Sequence, residues 1–199
     1  MTETTSLRTV CVYAGSAKGE RPAYAEAAQQ LGRLLAQQGL GLVYGGGRVG
    51  LMGVIADAVL EAGGHVVGVI PKGLATRELA HTGLNELLVV ESMHERKARM
   101  ADLADAFVAL PGGYGTLEEL VEILTWAQLG IHHKPCGLLN VAGYYDRLLS
   151  MLAHAEDEGF LRAVHRTLLL SADTPHELLE RLRAYQSPVI TKWLDRSQT

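Results

Sequence analysis

Short apolar runs, too brief for a helix, alternate along this chain with longer amphipathic stretches, and three of the short runs lead into turns of small residues. Parallel strands cannot be joined by a tight turn. They need a crossover, which a helix fills while covering one face of the sheet. The rhythm predicts strands at Thr9–Tyr13, Gly41–Tyr44, His65–Ile70, Glu86–Val90, Ala106–Leu110, Pro135–Asn140 and Thr167–Leu170. Helical spacing predicts crossovers at Pro22–Gln38, Leu51–Ala62, His94–Leu103, Leu117–Leu129, Tyr144–Glu158 and Pro175–Tyr185, the first with Ala27, Leu31, Leu34 and Leu35 on one face. Residues 72–85 keep no period and read as an irregular excursion near the strand ends; Pro71 stops the strand before them.

The expected fold is therefore α/β, a Rossmann-like doubly wound parallel sheet. At 199 residues it is expected to form a single domain over 1–199, with a core of about 8–192 and a short tail after Ser187. The composition, 48% hydrophobic and 20% charged, argues against disorder. A net charge of −4 without a run of Lys or Arg argues against nucleic-acid or polybasic membrane partners. The N-terminus lacks a basic region followed by an apolar stretch, and no segment approaches the roughly 18 apolar residues of a membrane span. A cytoplasmic location is expected. Cys11 and Cys136 match no metal spacing and read as small buried hydrophobes in a reducing compartment, so no metal is expected.

Glycine is the outlier, with 22 residues, and three expected strand ends carry small residues: Ala14-Gly15-Ser16, Gly45-Gly46-Gly47 and Pro111-Gly112-Gly113. Bare turns let backbone N–H groups approach an anion, and the following helix N-terminus adds about half a positive charge. A tight turn alone can require glycine. Three on one edge of a doubly wound sheet point to a nucleotide pocket, with Gly15, Ser16, Gly46, Gly47, Gly112 and Gly113 as candidate contacts. Gly45, Gly47 and Gly50 spell G-x-G-x-x-G, but the acid expected about twenty residues on is replaced by Pro71-Lys72, so NAD is the weaker reading. The Walker pattern is absent. No cofactor is expected.

Pro111–Glu119, PGGYGTLEE, is the most informative segment. Thr116 is expected to open the helix, with its hydroxyl and the first-turn amides facing a phosphate. The plainer alternative is a capping box in which Glu119 reaches back to the Thr116 amide. A second cluster, Met93–Met100 (MHERKARM), starts another helix. Arg96 and Lys97 point about 100° apart, so one is expected toward the strand ends and the other toward solvent. A solvated cationic face including Arg99 is the alternative.

Together these segments resemble the LONELY GUY (LOG) family of cytokinin riboside 5′-monophosphate phosphoribohydrolases. Pro111–Glu119 is similar to its PGG-x-GT-x-x-E signature and Met93–Met100 to its arginine–lysine segment. Gly45–Gly53, Val12–Gly19, Thr125–Gly130, Lys134-Pro135 and Gly143–Asp146 are similar to further blocks. Ala14 and Ala17 depart from it, standing where relatives often carry Cys and Ser. The resemblance implies that Gly113, Tyr114, Gly115, Thr116 and Glu119 hold a phosphoribosyl group with Met93, Arg96 and Lys97 beside it. It further implies that Arg96 and Glu119 carry the chemistry, that Glu78 and Thr125 line the substrate site, and that the protein is a homodimer with the site near the subunit boundary. Members are often labelled lysine decarboxylases, yet no Schiff-base lysine segment is recognisable here.

The function so implied is hydrolysis of the N-glycosidic bond of AMP or an N6-modified AMP, releasing the base and ribose 5-phosphate. The alternative from another class is a nucleotide- or molybdenum-cofactor-binding carrier with no hydrolase activity.

Overall fold

The computed structural model describes residues 7–75 and 80–188. In chain order the elements are β1 (Thr9–Tyr13), α1 (Pro22–Gln37), β2 (Gly41–Tyr44), α2 (Gly50–Glu61), β3 (Val66–Pro71), α3 (Lys72–Ala75), β4 (Glu86–Val90) and α4 (Met93–Leu103). There follow β5 (Ala106–Ala109), α5 (Tyr114–Gln128), β6 (Cys136–Leu139), α6 (Asp146–Asp157), α7 (Ala163–Arg166), β7 (Leu169–Ala172) and α8 (Pro175–Ala184), with a 3₁₀ turn at Val141–Gly143 before α6.

All seven strands are parallel, in the order β4-β3-β2-β1-β5-β6-β7. The expected Rossmann-like doubly wound α/β fold is thus observed. Successive side chains of a strand point to opposite faces, and β1 shows how both faces are filled. Val10 and Val12 pack with Leu31 and Leu35 of α1, Ile55 of α2 and Leu178 of α8, while Cys11 and Tyr13 pack with Met100 of α4 and Ile123 of α5. The sheet is a buried middle layer, which is why its strands read as unbroken apolar runs.

Crossovers proceed outward from β1 to β4, then return to place β5 on the other side of β1. The switch point lies between β1 and β5. Ala14-Gly15-Ser16 and Pro111-Gly112-Gly113 therefore meet there, with Gly15 N–H donating to the Pro111 carbonyl at 3.1 Å. Ligands of doubly wound sheets bind in this crevice.

Two expectations need correction. The last strand is not Thr167–Leu170 but Leu169–Ala172, because Ala163–Arg166 makes a helical turn and Thr167 Oγ1 donates back to the Val164 carbonyl at 2.8 Å. Register with β6 then pairs Cys136 with Leu169 and Leu139 with Ala172. The described parts of the 72–85 excursion are more ordered than expected: Lys72–Ala75 forms α3, and Ala80 makes an antiparallel bridge with Gly47. His81 N–H donates to the Gly46 carbonyl at 2.9 Å. The His81 Nδ1 accepts from Gly83 N–H at 3.1 Å, so Nε2 carries the proton shared with Asp57 at 2.8 Å. Glu78 and the end of the tail lie outside the described residues.

Candidate active site

Helix α5 begins at Tyr114, three residues before the expected start, with Gly113 as its N-cap. Thr116 is therefore not the cap. It lies inside the first turn, 3% exposed, packed over Gly112 so closely that a Cβ there would stand 2.1 Å from its Oγ1. Only glycine allows that approach. Gly113, Tyr114 and Gly115 remain exposed, and their amides belong to a helix start whose first four N–H groups have no partner within the helix.

The capping-box alternative for Glu119 fails with the same shift. Glu119 is 7% exposed and faces α4, where its Oε1 lies 3.1 Å from Arg96 Nη2. The pair is close but misaligned: Glu119 Oε1 and Arg96 Nε are both buried without a hydrogen-bond partner. Burial pushes the Glu119 carboxyl up from the usual range, outweighing the nearby Arg96 charge that pulls it down. A side-chain cap is found instead on α4: Ser92 Oγ accepts from Glu95 N–H at 3.1 Å, and the Glu95 carboxylate accepts from the N–H of Glu91, the residue before the cap, at 2.8 Å.

Arg96 reaches the strand ends because Gly45, at the end of β2, has no side chain. A Cβ on Gly45 would stand 2.0 Å from Arg96 Nη2. Met93 lies beside the guanidinium, its sulfur 3.7 Å from Arg96 Nη1.

Lys97 does not face solvent. It is 9% exposed, and its Nζ lies between Glu118, at short hydrogen-bonding range, and Glu122 at 2.9 Å. Burial opposes its charge, but the hydrogen bonds and charges of the two carboxylates win and hold the ammonium above its ordinary value. Glu118 and Glu122 stand four residues apart, one stripe of α5, a spacing that could have flagged them in the sequence. Arg99 is exposed, as the solvated-face alternative would have it.

The middle glycine turn works differently from the other two. The first amides of α2, Leu51 and Met52, donate to the Gly15 carbonyl at 2.9 and 3.4 Å. A Cβ on Gly50, at φ +64°, would lie 2.2 Å from the Ser16 carbonyl carbon. Gly46 and Gly47 are engaged with His81 and Ala80. The helix start where a dinucleotide's pyrophosphate would sit is filled by the β1 turn, of which Gly15 is buried and Ser16 exposed.

Thr125 lies six residues beyond Glu119 on α5, about 240° around the helix. Its hydroxyl donates to the Val121 carbonyl at 2.7 Å, and it borders an apolar cavity of about 190 Å³ between α5, α6 and α7, lined by Leu120, Leu148 and Leu149 among others. Val121, which also lines the cavity, is 51% exposed, and Met151 on α6 and Phe160 between α6 and α7 are 60% and 87% exposed.

Cys11 and Cys136 are free and buried, and burial pushes both thiols up. No described helix is long and apolar enough to cross a membrane, and no described group of three or more His, Cys, Asp or Glu could hold a metal ion.

Fold and site together define an α/β protein of the nucleotide-binding class, with bare amides and a buried arginine–carboxylate pair at the topological switch point. A family profile described as "possible lysine decarboxylase" matches residues 52–182. The chain is 55% identical to the cytokinin riboside 5′-monophosphate phosphoribohydrolase LOG of Oryza sativa subsp. japonica over 179 residues, 90% of this chain and 74% of that one. It is 54% identical to LOG7, of the same name, from Arabidopsis thaliana, over 94% of this chain and 86% of that one. The chain belongs to the LOG family. Among solved structures, TM1055 is 26% identical with a TM-score of 0.70, covering 90% of this chain and all of that one. A molybdenum cofactor binding protein of Rippkaea orientalis superposes with a TM-score of 0.68 at 23% identity, over 90% and 98% of the two chains, a likeness of fold alone.

The decarboxylase description finds little here. A pyridoxal-dependent decarboxylase needs an amine to form an imine, whereas Lys97, beside the site, is held protonated between two carboxylates.

Proposed function

We propose that this chain hydrolyses the N-glycosidic bond of adenosine 5′-monophosphates, plain or N6-modified, releasing the free base and ribose 5-phosphate. One observation carries the reading: the buried Arg96–Glu119 pair, 3.1 Å apart, on the helix whose exposed first turn offers amides to a phosphate. The named activity of relatives at 51–55% identity supports it. The carrier alternative has support only from likenesses of fold.

The phosphate sits on the Gly113, Tyr114 and Gly115 amides, where the dipole of α5 favours an anion. Cleavage builds positive charge on the ribose ring. The Glu119 carboxylate, in a water-poor pocket beside the sugar, stabilises that charge and orients or deprotonates the attacking water. Arg96 keeps Glu119 directed and meets the ribose hydroxyls, tasks that suit a permanently charged, planar fork of donors. Lys97 contributes through Glu118 and Glu122 and holds α4 against α5. The phosphate supplies binding energy remote from the reacting bond.

The apolar flank around Val121, Met151 and Phe160 is the face we assign to a second copy in a homodimer. Thr125 lies on that flank rather than beside Glu119, so its substrate role belongs to the subunit boundary. Two free, buried cysteines suit a reducing, cytoplasmic setting.

The test is incubation with AMP, isopentenyl-AMP and their ribosides, followed by chromatography for the base. Base released from the monophosphates, and much less from the ribosides, is expected. Tight nucleotide binding without product would overturn the hydrolase reading in favour of a carrier.

A further inference from the structure

The Gly143–Asp146 block takes no part in the chemistry above, yet it touches the phosphate turn. Asn140 Oδ1 accepts from Tyr145 N–H and Asn140 Nδ2 donates to Asp146 Oδ1, both at 2.8 Å, and Ala142 holds a left-handed φ of +51°. This strained link directs two consecutive tyrosines at β5. Tyr145, 1% exposed, donates to the Leu110 carbonyl at 2.6 Å; Tyr144, 40% exposed, donates to the Gly112 carbonyl at 2.5 Å. The rings meet edge to face, 4.9 Å between centroids.

The Tyr144 bond matters because of what shares its peptide plane. In a trans peptide the carbonyl of one residue and the N–H of the next point in opposite directions. Holding the Gly112 carbonyl toward Tyr144 therefore turns the Gly113 N–H away from it, to the exposed side of the turn. Glycine flanks that peptide on both sides, so no side chain resists its rotation. We infer that Tyr144 is a positioning residue for phosphate, locking the Gly112–Gly113 peptide so that the N-cap amide of α5 faces the anion. This rests on the proposed phosphate seat and adds a residue to it.

Tyr144→Phe deletes only the hydroxyl of a partly exposed ring, and Tyr24→Phe, on the ring packed edge-on against it at 5.7 Å, is the control. The assay measures KM and kcat for AMP, kcat/KM for adenosine, and the competitive inhibition constant of inorganic phosphate. In Tyr144→Phe both the AMP KM and the phosphate inhibition constant are expected to rise about fivefold. The AMP kcat, the adenosine kcat/KM and the thermal midpoint should stay near wild type, and Tyr24→Phe should change none of them. An unchanged phosphate constant would overturn the inference, as would an equal loss on AMP and adenosine, the mark of a merely structural role. Should phosphate fail to inhibit the wild type while AMP and adenosine show equal KM, the phosphate seat itself is wrong and the inference falls with it.

Discussion

Replacing Glu119 with Gln keeps the volume and one oxygen and removes the charge. Its worth follows from its surroundings. At 7% exposure the carboxylate acts through a poorly screening medium. A unit charge about 4 Å from a developing cation, at an effective dielectric near 20, contributes about 4 kcal/mol. Arg96 at 3.1 Å already draws on the same carboxylate and opposes the ring charge, which reduces that figure. What remains corresponds to a loss of roughly 100- to 1000-fold in kcat, the range found for single groups that stabilise transition-state charge. Because the phosphate seat is separate, AMP affinity should change less than about threefold. Single-turnover hydrolysis with chromatographic detection of adenine gives the rate, and titration calorimetry gives the affinity. Glu119→Ala should lose at least as much turnover. A Gln variant with turnover within tenfold of wild type, or one that lost AMP binding in proportion to rate, would refute the assignment of Glu119 to the ring charge.

Other consequences follow from the same geometry. In its proposed role Glu119 acts ionised, and burial raises its carboxyl above 4.5, so kcat/KM should fall on the acid side with a midpoint above that value. The sign for stability runs the other way: ionising Glu119 costs more in the fold than in the unfolded chain, so its contribution declines as pH rises from 4.5 through the raised value. Lys97→Met removes a charge that lowers the Glu119 carboxyl, and should move the acid limb to still higher pH. It should also cost about 2 kcal/mol in urea unfolding, discounted because Glu118 and Glu122 are partly solvated and can reorient. Gly45→Ala puts a methyl where Arg96 Nη2 lies; displacing that guanidinium by an ångström should lower turnover about 100-fold while the unfolding midpoint barely moves. Wild-type turnover in that variant would mean Arg96 needs no fixed position.

The fold was legible because each strand run is short, apolar and punctuated, and β4, predicted at Glu86–Val90, is observed there. The misplaced last strand shows where such reading fails: Thr167-Leu168-Leu169-Leu170 looks like one strand, and only pairing with β6 excludes its first half. At the site, the family resemblance singled out Arg96 and Glu119, but their mutual direction was hidden. The pattern Thr116-x-x-Glu119 and the pattern Ser92-x-x-Glu95 are alike as strings, and only in the second does the hydroxyl residue cap its helix. Helix α5 starts earlier because Gly113, not Thr116, leaves helical geometry, which turns Glu119 inward. Lys97 could not be placed without knowing that Glu118 and Glu122 of another helix face it. Gly45 carried no chemical signal, since its contribution is room for another residue's guanidinium.

The charge count around that guanidinium has a consequence for how nucleotides arrive. Two buried cations, Arg96 and Lys97, stand against Glu118, Glu119 and Glu122, so these five side chains together bring no net positive charge to an incoming dianion. On the proposed phosphate seat, capture rests on peptide dipoles that act only at contact, and those are little weakened by dissolved electrolyte. A pocket built this way works alike in dilute and concentrated cell fluid, and selects its ligand by fit to a turn rather than by drawing in whatever anion drifts past.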